Sequence, residues 1–146
     1  MGLSVKRPIR DRLVDDATMR SFFSATVTSS ARVFPVFMET TGKYPQVIYS
    51  EIPGPTDPGM SGSNGILTIA IETQATGGVN PHVLQENILE RIDQLFDDQV
   101  VTGVAISGTG VYIYHMIRNG GTEISYDEGT KVYSRFITYG FKVQKY

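Results

Sequence analysis

At 146 residues, with 40% hydrophobic side chains and 15 glycines, the chain has the length of one ordinary domain and enough apolar surface to form a core unaided. A formal net charge of -2 excludes a global positive field for holding phosphates, and the absence of cysteine excludes disulfides, thiolate nucleophiles and Cys-based metal sites. The longest apolar runs are about six residues, far below the ~20 that span a bilayer, and the polar start from Met1 to Asp16 has no signal-peptide core, so a soluble chain with no membrane partner is expected.

The first expected element is a short amphipathic helix over Arg7 to Asp15, with Pro8 near its start and Ile9 and Leu13 one turn apart. Its basic cluster, Lys6, Arg7, Arg10 and Arg12, is diluted by Asp11, Asp15 and Asp16 and reads as a solvated face. Asp16 is placed to cap a further turn or two through Met19, Phe22 and Phe23. Ala31 to Phe37 and Gln46 to Ile52 read as short strands connected through Thr40 to Lys43, the first irregular or at an edge because of Pro35. The stretch Pro53 to Asn64, PGPTDPGMSGSN, reads as a long loop inside the domain. Its prolines lower the entropy lost on ordering and Met60 offers an apolar anchor, so an interface arm that includes Pro55, Asp57 and Pro58 weighs as much as a plain surface excursion. On the sharper reading, deleting Thr56 to Ser63 leaves a folded monomer that fails to assemble. From Gly65 to Thr73, Leu67, Ile69 and Ile71 alternate with Thr68, Ala70 and Glu72, the period of a half-buried strand.

A long helix follows from Asn80 to Asp98, opened by Asn80 as cap and Pro81 at the first position. Leu84, Ile88, Ile92 and Leu95 form one stripe, widened by Leu89 and Phe96, and their burial contributes on the order of 9 to 18 kcal/mol before entropy is subtracted. The opposite face, Gln85, Glu86, Glu90, Arg91, Asp93 and Gln94, is expected to be polar. Val100 to Ile106, Val111 to Arg118 and Lys131 to Val143 read as strands, with Asn119-Gly120 and Asp127-Glu128-Gly129 supplying turns. This order of elements predicts an α+β fold of two layers, an antiparallel or mixed sheet covered by one long and one short helix, with residues 1–146 as a single domain.

Catalytic chemistry finds little support. His82 opens a helix and His115 lies in a strand, so they are not expected to meet, and His82 with Glu86 supplies only two of the ligands a metal needs. No GxSxG elbow positions a nucleophile, and Gly108-Thr109-Gly110 lacks both the third glycine and the helix of a dinucleotide fingerprint. Asp97 and Asp98, with Asp93 one turn earlier, read as a solvated helix end rather than a cation site. No catalytic residue, cofactor or metal is therefore expected. The tyrosines lack the interleaved Lys and Arg of a base-stacking platform; Tyr112, Tyr114, Tyr133 and Tyr139 are expected to form cross-strand pairs and a partner-facing surface. The segment Lys142 to Tyr146 continues a strand to Tyr146, and pairing with a neighbour by edge addition weighs the same as ending against its own sheet.

The order of features resembles the tail-terminator or tail-completion proteins of long-tailed bacteriophages. The resemblance rests on DDATMRSFF after a short helix, RVFPVFMETTGKYPQVIYSEI, a Pro/Gly loop, GILTIAIETQA, the helix VLQENILERIDQLFDD and the late strand RFITYGFKV, nearly the whole chain. It implies a virion protein assembled in the host cytoplasm, a homo-oligomeric ring of six that caps the tail tube, contacts the tube protein and the head-side connector, and passes DNA non-specifically through its bore. Other neck or tube components, a stopper or a tail-tube subunit, share that assembly logic. A small ferredoxin-like ligand-binding domain or enzyme is the more distant alternative.

Overall fold

The computed structural model describes residues 6–36, 43–56, 62–75, 80–97, 99–101, 111–122 and 124–145. Helix α1 spans Lys6–Val14, α2 Ala17–Phe22 and α3 Pro81–Phe96, and a single 3-10 turn covers Thr28–Ser30. The strands are β1 Val33–Pro35, β2 Gln46–Thr56, β3 Gly62–Gln74, β4 Gln99–Val101, β5 Val111–Gly121, β6 Ser125–Asp127 and β7 Val132–Lys145. Both expected caps form. Asp16 Oδ2 accepts the Met19 N–H at 2.9 Å, and Asn80 Oδ1 accepts the N–H groups of His82 at 3.0 Å and Val83 at 3.3 Å.

The apolar stripe of α3 packs on one face of the sheet. Ile88, Leu89, Ile92, Leu95 and Phe96 are buried against Leu67, Ile69 and Ile71 of β3 and Ile137, Tyr139 and Phe141 of β7. Helices α1 and α2 extend the same layer through Ile9, Leu13 and Met19. The result is the expected two-layer α+β architecture. Gln85 departs from its expected place on the polar face. It is buried, and its Nε2 donates to the carbonyls of Ile71 at 3.2 Å and Tyr133 at 2.9 Å, fastening the first half of α3 to the sheet.

Among the described residues the sheet has seven strands in the order β1-β2-β3-β7-β5-β4, with β6 also paired to β7. Only β1 and β2 run parallel, Val33 beside Val47 and Pro35 beside Tyr49; every other pairing is antiparallel. Strand β7 is central. It pairs with β3 from Gln144 to Val132 on one side, and with β5 and then β6 on the other. Edge addition at Lys142 to Tyr146 is thereby corrected: Lys142, Val143 and Gln144 already have strand partners on both sides, and Tyr146 lies outside the described residues.

Two further expectations change. The long loop Pro53 to Asn64 is mostly strand, since β2 runs on to Thr56 and β3 begins at Gly62, with Pro53 opposite Gly65, Thr56 opposite Ser63 and an irregularity between these rungs. Proline is tolerated there because, among the described residues, β1 pairs only with Val47 to Tyr49, which leaves the rest of β2 on the sheet edge, where no ladder N–H is required of it. Asn119-Gly120 is not a turn. It sits at a register shift within β5, a bulge, because pairing with β7 resumes at Gly120 opposite Thr138. Gly65 meets a close approach, since a Cβ there would lie 2.3 Å from the Phe141 ring and 2.8 Å from the Ile52 carbonyl oxygen.

Candidate functional site

The sheet has a helix-covered face and a face that carries no element among the described residues. The register places Ile52, Ile66, Gly140 and Ile117 in one row across β2, β3, β7 and β5, and Ile48, Ala70 and Phe136 in another. Ser50, Thr68 and Thr138 lie between them. Their strand neighbours Tyr49, Leu67, Ile69, Ile137 and Tyr139 point into the core, so by the period of two these rows face away from it. Ile52 is 62% exposed, Ile66 46%, Phe136 44% and Ile117 43%, and Val36 beyond β1 is 65% exposed. A notch of about 100 Å³ opens on this face, lined by Val36, Ile48, Ser50, Thr68, Ala70 and Phe136. Clustered apolar exposure of this kind marks an interaction surface more often than chance scatter does.

The other face of the molecule carries a polar cleft of about 620 Å³ between α3, β5 and β7. Most of its charged groups are engaged with one another. Arg118 NH1 meets Asp93 Oδ2 at 2.6 Å, Arg118 N donates to Asp97 Oδ1 at 2.8 Å, and Arg135 pairs with Glu86. The Tyr139 hydroxyl donates to Asp93 Oδ1. Burial first, then Asp93, pushes the Tyr139 phenol far above its usual range. Asp93 and Asp97, read from sequence as a solvated helix end, instead tie α3 to β5 and β7. Their spacing of one helical turn was visible, but nothing in the sequence announced their partners 21 to 46 residues away.

A second charged tie joins α2 to α3. Arg91 Nε and NH2 donate to the two Asp16 oxygens at 2.9 and 2.5 Å, so one carboxylate both caps α2 and grips α3. The Asp16 pKa is lowered chiefly by the Arg91 hydrogen bond, against the opposing effect of burial.

The expected interface residues scatter. Tyr139 is corrected from partner surface to core: it is 0% exposed because it points under α3, beside Phe96 at 5.9 Å between ring centroids. Tyr133 is half-buried, meets the His82 ring edge-on and lies tilted against its cross-strand partner Tyr126, a pairing of β6 and β7 that was not foreseen. Tyr112 is in register with Gln144 and Tyr133 with Thr73, so the tyrosines stand at opposite ends of the sheet rather than together. Tyr114 lies in β5 and Pro55 in β2, with backbone alone described. Asp57, Pro58, Met60 and Tyr146 lie outside the described residues. His82 and Glu86 are exposed helix residues, and no group of three metal-ligating side chains occurs among the described residues. No helix among them is long and apolar enough to cross a membrane.

No protein-family model matches the chain, and no curated protein sequence matches it. The fold is found in a solved structure titled "Virion of native gene transfer agent (GTA) particle", in which one chain is similar with a TM-score of 0.66 at 11% identity. The likeness covers 93% of this chain and 91% of that one, so the whole arrangement of layers is shared rather than a fragment.

Proposed function

We propose that this chain is a non-enzymatic structural protein of a virion, a tail terminator whose residues 1–146 act as one domain and whose copies close into a ring. The ring caps the tail tube and joins it to the head-side connector, with DNA passing through the bore. The observation that carries this reading is the end-to-end fold likeness to a chain of a phage-like virion particle. The order of elements and the texture of the strands support the same role, and a ring of six follows from that resemblance.

The chemistry of the surfaces is consistent with an assembly role. Most charged groups of the polar cleft beside α3 are spent on holding α3 to the sheet, whereas a band of apolar side chains faces outward. Each copy adds a net charge of -2, so a ring is acidic overall, which supports a bore through which duplex DNA slides and which a strongly basic lumen in the assembled ring would refute. The reading is tested by electron microscopy of the purified chain mixed with isolated tail tubes. A ring seated on one end of the tube is the expected result. Incorporation along the tube would identify a tube subunit, binding only to the head-side connector would identify a stopper, and a monomer indifferent to both would remove the reading.

A further inference from the structure

We propose that the helix-free face of the sheet is where the next copy of this chain docks, with Ile66 and Phe136 at its centre. The proposal deepens the ring reading and rests on it for the identity of the partner.

The first ground is a mismatch of length. Helix α3 has 16 residues and is about 24 Å long, whereas β3 and β7, with 13 and 14 residues, reach about 45 Å. Helix α3 alone therefore does not span the sheet and needs α1 and α2 to extend its layer, whereas the opposite face has no layer at all among the described residues. The second ground is area. Strands β2, β3, β7 and β5, spaced about 4.8 Å apart and on average about 40 Å long, offer a face of roughly 800 Å². That is close to the ~800 Å² that each partner contributes to a stable protein–protein interface.

The third ground is chemistry. The rows running through Ile52, Ile66, Thr68, Phe136, Thr138 and Ile117 contain no charged side chain; Glu72 stands beyond them at one end, held by the Gln46 amide at 2.8 Å, and the exposed Lys142 stands one rung beyond Gly140 at the other. A nucleic acid would find no cation within these rows, and an acidic or basic peptide no counter-charge there, with Lys142 and Glu72 standing only at the two ends. A second copy fits, because these rows bury no charge of their own when a copy of like net charge meets them. The notch beside Phe136 and Val36 is large enough for one apolar side chain of the neighbour, the kind of pocket in which binding energy concentrates. In a closed ring each copy offers this face once and a different surface once, so a single substitution weakens every contact of the ring.

The test uses the full chain with Ile66→Glu and, separately, Phe136→Glu, compared with wild type by sedimentation velocity and native mass spectrometry. Both changes lie on the outward face, so far-UV circular dichroism and the thermal midpoint of the isolated chain are expected to persist while the apparent dissociation constant rises about 30-fold or more. If either variant fails to fold, Thr68→Cys in the otherwise cysteine-free chain gives the same answer: a bulky maleimide is expected to react slowly in the assembled protein and fast on dilution to monomer. Variants that assemble as wild type does, or a label that reacts equally in both states, overturn this face as the contact and leave the ring reading standing. A wild-type chain that stays monomeric at every concentration overturns both.

Discussion

The Tyr139 hydroxyl is a polar atom in the middle of an apolar layer, and Asp93 is what makes its burial tolerable. In Tyr139→Phe the ring still fills the core and Asp93 keeps Arg118, so the expected loss is about 1 to 2 kcal/mol, measured by urea unfolding. Burial and Asp93 hold the phenol above its usual range in the folded chain, so the folded state keeps a proton that the unfolded chain releases near pH ~10. Stability from this group is complete below that pH and falls as pH rises above it. Thermal melts are expected to drop on the alkaline side, less steeply in Tyr139→Phe, with Tyr49 and Tyr44, also raised by burial, accounting for what remains. Sequence placed Tyr139 in a strand over Lys131 to Val143 and read it as part of a partner-facing surface. A phenol satisfied by a residue 46 positions away gives no local signal.

Helices were the most legible elements, since a cap such as Asn80 and a stripe such as Ile88, Ile92 and Leu95 act within a few residues of one another. The alternation in β3 was equally plain. Strand ends were less so, because Pro53, Pro55 and Asn119-Gly120 have turn chemistry, and only the pairing partner decides between a turn, an edge and a bulge. The contact between α2 and α3 depends on a link of the same non-local kind, Asp16 with Arg91. Asp16 is held below the usual carboxylate range, so its contribution is present above pH ~3.9 and is lost as pH falls through its lower folded value. Asp16→Asn keeps a cap but removes the charge. Its thermal midpoint is expected to be lower near neutral pH and to vary less with acidification over that range, checked by melts from pH ~2 to ~6.

For the whole molecule, charge and apolar surface are separated: ion pairs gather around α3, and the opposite sheet face is uncharged across its middle. Association through that face should therefore ignore simple screening. Raising NaCl from ~0.1 to ~0.5 M is expected to change the apparent dissociation constant by less than about threefold, and sulfate to tighten it, as read by sedimentation. Much of the candidate surface was legible as alternation in Gly65 to Thr73, but not its role, since the outward face became apolar only when Ile52 and Ile117 joined the row of Ile66 and Phe136 came beside Ala70. The central place of β7 also governs how the protein is made. Residues 132–145 are the last of the described strands to leave a ribosome, yet β3 and β5 have no ladder between them until they arrive. At roughly 5 to 20 residues per second, most of the chain waits for seconds with its main sheet split in two, and a nascent β3 edge open throughout that wait is the stage at which chaperones would matter most.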